Sequence, residues 1–235
     1  MDQNPHVGAI LLMGLPGAGK GTQAFRLAER FPNFVHFDTG GEIYRRITDP
    51  HFADDPLIRE QERIYFAGDL NTPEWVAGLV SERIRFYSGK SQGVIFSGSP
   101  RTLKEAQTIF PLLEEGYGRN RTLVLEVLTS LETVIARSRK RITCANDACR
   151  YPAHWEERGE PCPNCGQPLP TEIPKKEWWK IEKLEDGTRV REFEERTRPA
   201  IEFLKERVAY ARIDGEKSEN EVFAQILTAV KKNLG

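Results

Sequence analysis

The chain has 235 residues, with 34 basic against 35 acidic side chains and a formal net charge of −1. Its 39% hydrophobic and 29% charged residues exclude a wholly disordered chain, and the length suits one substantial core plus something smaller. The balanced charge supplies no bulk attraction for nucleic acid or a membrane surface, so neither is expected as a partner.

The leader Met1-Asp2-Gln3 has no basic region. The longest apolar stretch, Val7 to Leu15, is about half of the ~20 residues a bilayer-spanning helix needs, and it ends in glycines without a cleavage site. A cytoplasmic protein is expected. Within that stretch Val7-Gly8-Ala9-Ile10-Leu11-Leu12-Met13 predicts a strand buried on both faces. Gly14-Leu15-Pro16-Gly17-Ala18-Gly19-Lys20-Gly21-Thr22 follows, and then Ala24, Leu27, Ala28 and Phe31 recur at helical spacing. Gly14-x-x-x-x-Gly19-Lys20 between a strand and a helix is the pattern of a phosphate-binding loop. Its glycines let backbone N–H groups turn inward, the helix N-terminus adds a positive dipole end, and Lys20 reaches the β- and γ-phosphates. Gly21 stands where most such loops have a serine or threonine, and Thr22 comes one residue later.

Residues 40 to about 80 are polar and helical in pattern, without an evident buried strand. Apolar runs return at Gly93 to Phe96, Leu123 to Leu128 and Val208 to Ile213. Helical patterns separate or follow them at Thr102 to Leu113, Leu131 to Arg141 and Glu219 to Leu234. This alternation predicts an α/β fold, a mostly parallel sheet with helices on both faces. Residues 142 to about 176 break the pattern. Five prolines fall between Pro161 and Pro174, aliphatic residues are few, and such a stretch needs a staple. All four cysteines lie there, as Cys144-x₄-Cys149-x₁₂-Cys162-Pro163-Asn164-Cys165. Two short pairs across a loop, in a reducing compartment, predict a closed, structural Cys₄ site for Zn²⁺. His154 lies between the pairs, but the four thiolates already fill a tetrahedron.

Several motifs carry a wider resemblance. The glycine loop through Gln23 resembles that of adenylate kinases and related nucleoside monophosphate kinases. Gly98-Ser99-Pro100-Arg101-Thr102 is similar to their acceptor-binding Gly-Phe-Pro-Arg-Thr. Arg137-x-x-x-Arg141 resembles their paired lid arginines, and Ile213-Asp214-Gly215-x-Lys217 the segment beside the ATP base. Asp38-Thr39-Gly40 to Arg45, Gly68-Asp69-Leu70-Asn71, and Arg189 eight residues before Thr197 match in family order. The resemblance implies a P-loop fold with a five-stranded parallel sheet and two inserted mobile domains. Residues 1–38, 80–141 and 177–235 would form the core, 39–79 the monophosphate-binding insert, and 142–176 a zinc-stapled lid.

The implied activity is reversible transfer from ATP, with Mg²⁺, to a nucleoside monophosphate, AMP above others, in a monomer. Lys20, Arg101, Arg141 and Arg189 would be catalytic. Gly17, Ala18, Gly19, Lys20, Gly21, Thr22, Arg137, Arg141 and Lys217 would hold ATP. Thr39, Gly40, Arg45, Asp69, Leu70, Asn71, Gly98, Arg101, Glu105 and Arg189 would hold the acceptor. Such transfer asks mainly for positioning and charge neutralisation, which guanidinium forks supply, and the acceptor phosphate is already a nucleophile. Arg137 and Arg141 are four apart and are expected on one helix face, above a buried stripe of Leu131, Val134 and Ile135.

Three departures stand out. Ser97 replaces the aspartate that usually precedes Gly-Phe-Pro-Arg, and with Gly21 it removes usual oxygen donors around Mg²⁺. Trp178 to Lys183 occupies the place of an Arg…Asp-Asp element, leaving Lys176 and Lys180 as candidate substitutes. Glu105 stands where a glutamine commonly pairs with adenine; an ionised carboxylate only accepts, which suits the adjacent donors of guanine, whereas Thr102-x-x-Glu105 also reads as a capping box. Two readings of other classes remain open from sequence, a zinc-ribbon ATPase on nucleic acid and a non-catalytic nucleotide sensor. Against the first, residues 142–176 carry four basic and five acidic side chains.

Overall fold

The computed structural model describes the backbone of residues 5–173 and 175–235, and the side chains of all of these except 175–177, 179 and 180. Lys176 and Lys180 therefore lie outside the described side chains. Strand β1 (Ala9–Met13) is wholly buried, and the glycine loop leads from it into α1 (Lys20–Arg30). Then come β2 (Phe34–Phe37), α2 (Thr39–Thr48), α3 (Pro56–Ala67) and α4 (Pro73–Gly89). Next are β3 (Gly93–Phe96), α5 (Leu103–Gly116), β4 (Thr122–Leu128) and α6 (Leu131–Arg139). A short antiparallel hairpin, β5 (Arg141–Thr143) with β6 (Pro152–His154), opens the cysteine-bearing segment. The chain returns through α7 (Lys175–Glu185), α8 (Thr188–Glu192), a π-turn at Phe193–Thr197, α9 (Arg198–Lys205), β7 (Ala209–Asp214) and α10 (Glu219–Leu234).

The main sheet has five strands in the order β2-β3-β1-β4-β7, every pair parallel. Side chains alternate across it, so each apolar strand serves two cores. Leu11, Met13, Val94, Phe96 and Val124 pack with α4, α5 and α9 on one face. Ile10, Leu12, Ile95, Leu123 and Leu125 pack with α1 and α10 on the other. A third, small cluster of Ile142, Ala153, Leu169 and three cysteines lies apart, in the hairpin segment. Among the described residues no helix is long and apolar enough to cross a membrane.

Three local expectations are corrected. Phe34–Phe37 is an edge strand that the apolar runs did not locate, since His36 interrupts it. Helix α6 ends at Arg139, because the Lys140 carbonyl accepts the Trp155 N–H at 2.6 Å across the hairpin. Arg141 thus starts a strand and does not share a helix face with Arg137. Of the expected stripe, Val134 is buried and Ile135 partly so, but Leu131 is exposed.

Candidate active site

The C-terminal ends of the parallel strands open on one cleft, with a cavity volume of about 690 Å³. Its floor is the glycine loop. Gly14 has φ +140°, and a Cβ there would sit 2.4 Å from the Val127 carbonyl, so the loop leaves β1 only through glycine. Gly19, at φ +89°, is the left-handed turn that starts α1. Lys20 is the first residue of that helix, and its ammonium donates to the carbonyls of Gly14 at 2.9 Å and Leu15 at 2.7 Å.

Burial lowers the Lys20 pKa to about 7, and repulsion from Arg101, Arg141 and Arg189 adds to the fall. Those three cations come from the β3–α5 loop, from β5 and from α8, so tertiary structure has gathered four positive groups from distant parts of the chain. A cluster that costs this much to charge is stabilised by a polyanion. The linkage has a definite sign. Below about pH 7 the free protein already holds the Lys20 proton; above it, an anion that restores the ordinary lysine pKa draws a proton in. ATP binding at pH 8 should therefore take up about one proton at Lys20 and weaken as pH rises above 7. Calorimetry in buffers of different ionisation enthalpy reads this directly, and a proton-neutral titration in the parent, matching that of Lys20→Met, would refute it.

Arg101 is fixed by its surroundings. Its Nε donates to the Gly98 carbonyl at 2.9 Å, and its own carbonyl accepts the Thr197 hydroxyl at 2.9 Å. Its backbone N–H donates to Glu105 at 3.0 Å, following a cis Ser99–Pro100 peptide. Glu105 is buried and lines the cleft, yet both its oxygens are engaged: it also accepts from the Thr102 hydroxyl at 3.1 Å and the Ser99 hydroxyl at 3.5 Å. Thr102 in turn caps α5 by accepting the Glu105 N–H. The capping role read from sequence is present, with the return bond from a backbone N–H coming from Arg101 and not from Thr102. Burial raises the Glu105 pKa against these donors.

Thr39 and Gly40, at the start of α2, face the same space, and the buried Thr39 hydroxyl has no hydrogen-bond partner. An orphaned hydroxyl in a cleft of cations asks for a ligand acceptor. Asp69, Leu70 and Asn71 line the wall; Asp69 pairs with Lys183 at 3.2 Å, and the Asn71 amide turns to the Gln61 carbonyl at 2.7 Å. Arg45 is not brought to the cleft. It is tied to the buried Glu42 at 2.8 Å and to the Asp147 carbonyl at 3.2 Å, because Glu42 also needs it and Arg83 as counter-ions. On the opposite side, Gly17 to Thr22, Gly98, Arg137, Arg141, Arg189 and Lys217 all line the cleft. Arg137 donates to the Lys217 carbonyl at 3.2 Å.

Ser97 hydrogen-bonds His36 at 2.6 Å, and burial lowers the His36 pKa to about 4 although Asp38 pulls the other way. The expected carboxylate is thus absent at Ser97. The next residue of the neighbouring strand, Asp38, supplies one to the same end of the sheet, since Phe37 pairs with Phe96. The hydroxyl-bearing Thr22 and Ser97 both line the cleft, and such hard oxygen donors suit Mg²⁺ held chiefly by phosphates and water.

The four cysteine sulfurs lie within 4.8 Å of one another. Cys144 and Cys165 are 3.6 Å apart, and Cys149 and Cys162 3.7 Å. Tetrahedral Zn–S bonds of ~2.3 Å need sulfurs about 3.8 Å apart, so the cluster fits zinc. His154 stands outside it and pairs with Glu219 of α10 at 3.3 Å. Among the residues of this segment that line the cleft, two with ionisable side chains have no sequence signal, His154 as a wall and Arg150, which reads from sequence only as charge. No local motif marks either, because each acts on a partner distant in the chain.

A family model described as "Adenylate kinase" matches residues 12–209. The chain is similar to adenylate kinase of Elusimicrobium minutum, 27% identical over 92% of this chain and 95% of that one. It is also similar to adenylate kinase of Syntrophomonas wolfei, 30% identical over 92% and 96% of the two chains. A third relative is adenylate kinase of Caldanaerobacter subterraneus, 29% identical over 94% and 95%.

Proposed function

This chain belongs to the adenylate kinase family, and from that membership we propose that it transfers the γ-phosphoryl group of ATP reversibly to AMP, giving two ADP. The observation that carries the reading is the convergence of Lys20, Arg101, Arg141 and Arg189 on one cleft, where burial and then repulsion from the three arginines lower the Lys20 pKa. ATP would lie along the Gly17–Thr22 loop, with Arg137 and Lys217 beside its base. AMP would lie against Thr39, Gly40, Leu70, Asn71 and Arg101. An oxygen of the acceptor phosphate attacks the γ-phosphorus, a new P–O bond forms there, and the bond to the β-phosphate oxygen breaks. Lys20 and the arginines neutralise the oxygens on which charge gathers, and no side chain has to remove a proton. Mg²⁺, when bound with ATP, would supply further charge neutralisation at the phosphates; Thr22 and Ser97 are the residues that would meet its water shell.

Residues 39–79 are proposed as the acceptor insert and 142–176 as the lid, although α4 runs unbroken through position 80. With both Glu105 oxygens taken by Arg101, Thr102 and Ser99, its carboxylate braces the loop and does not select guanine. A panel of AMP, GMP, CMP and UMP with ATP should show AMP preferred at least about tenfold in kcat/KM, a difference of ~1.4 kcal/mol in transition-state binding. Equal or faster turnover of GMP would overturn the acceptor assignment, and phosphate release stimulated by nucleic acid without any monophosphate would overturn the whole reading.

A further inference from the structure

Arg150 follows Cys149 directly, at φ +50°, a left-handed conformation uncommon for any residue but glycine. Its N–H closes the turn onto the Asn146 carbonyl at 2.9 Å, and the side chain leaves the sulfur cluster toward α2. There its Nε donates to the Asp38 carboxylate at 3.1 Å, and the guanidinium lies 5.9 Å from the Tyr44 ring centre. The Arg150 side chain is only 18% exposed. Asp38 immediately precedes α2, where an aspartate ordinarily accepts a helix N–H, yet its side chain makes no such cap. It is turned to Arg150 instead. Gly41 makes the fit possible: a Cβ there would stand 2.7 Å from the Asp38 oxygen and 2.8 Å from the Arg150 Cδ. Arg45, bonded to the Asp147 carbonyl, ties the same cysteine turn to α2 a second time.

Building on the reading of the cleft given above, we propose that Arg150 is a positioning residue for the acceptor nucleotide, latching the cysteine turn of the lid onto Asp38 at the root of α2. Asp38, Thr39, Gly40 and Arg150 all line the cleft, so the pair spans the seam between the two inserts. The pair forms only when lid and α2 are together. A donor nucleotide that holds the lid down thereby lowers the cost of ordering α2 around the acceptor, and the coupling is reciprocal.

The test is calorimetric titration of AMP into the full chain, with and without a non-hydrolysable ATP analogue, alongside steady-state kinetics. In the unsubstituted protein the analogue should tighten AMP binding about tenfold, within the usual range for coupled sites. Arg150→Gln and Asp38→Asn should each reduce that factor to about twofold or less, and the double variant should be no worse than either single one, as expected of a shared contact. The KM for AMP in Arg150→Gln should rise about fivefold with kcat within about twofold, a split that a general loss of fold does not give. Gly41→Ala favours the helix itself but blocks the seat of Arg150, so it too should lose the coupling without losing thermal stability. Unchanged coupling in Arg150→Gln and Asp38→Asn, or additive losses in the double variant, would overturn the latch. Absence of any ATP-to-AMP transfer by the unsubstituted chain would instead end the functional reading on which the latch rests.

Discussion

Replacing Lys20 by alanine is expected to slow phosphoryl transfer by about 10³-fold, the scale set by removing a preorganised charge aimed at the transition state. The fold should survive, and the reason lies in the same electrostatics. The ammonium is buried beside three guanidinium groups, and its pKa has fallen from 10.5 to about 7. A base with a depressed pKa opposes folding wherever the unfolded chain is protonated and the native chain is reluctant to be. That opposition is complete below about pH 7 and fades as pH climbs toward 10.5. Removing the charge relieves it, against the loss of two hydrogen bonds to loop carbonyls. The melting temperature of nucleotide-free Lys20→Ala at pH 6.5 should therefore equal or exceed that of the parent, and the gap should narrow by pH 9. Melting curves at the two pH values together with a coupled ADP assay check both halves. Retained activity would remove Lys20 from the site; a large fall in stability would show that the lysine supports the fold.

The second large effect concerns the cysteine segment. Its own apolar cluster is Ile142, Ala153 and Leu169 with partly buried Tyr151, Trp155 and Ile173, too little to fold alone. Structural zinc in small domains contributes about 10–16 kcal/mol to folding. One zinc per chain is expected by elemental analysis. Stripping it with a strong chelator, or substituting the buried Cys162→Ser, should release residues 142–173 while the sheet stays folded, because the two main clusters share no residue with the third. Hydrogen exchange followed by mass spectrometry should show amides of 142–173 exchanging at near-unfolded rates and those of β1 and β4 still protected. Transfer should fall together with lid order, since Arg150 sits on that segment and Arg141 starts the strand that leads into it. Undiminished protection of the segment without metal would refute the staple.

These effects differ in how far the sequence announced them. The turn from Gly14 to Lys20 is local: positive φ values, a strand ending and a helix beginning follow from adjacent residues, and the spacing alone carried them. The cysteines were legible for a similar reason, since thiolates at short intervals in a proline-rich stretch have few other uses. The acceptor loop was partly legible. Thr102 and Glu105 read as a cap, but that Glu105 would bind the Arg101 N–H and engage both oxygens needed the folded loop in place.

Arginines were the least legible, because their roles depend on what lies across the molecule. Arg137 and Arg141 look like helix neighbours until the hairpin takes the Lys140 carbonyl and ends α6 at Arg139. Arg45 is paired with the buried Glu42 outside the cleft, a placement its motif does not announce, whereas Arg150 looks like surface charge until it meets Asp38. By itself the sequence determined the alternation of strand and helix, the glycine loop and the clustering of the four cysteines, all of which are written in backbone geometry and in donors close along the chain. Only the tertiary structure decided which cations share a cleft and which carboxylates claim them. Coulomb and desolvation energies depend on distance and burial in space, and residue spacing encodes neither beyond a turn or two of helix.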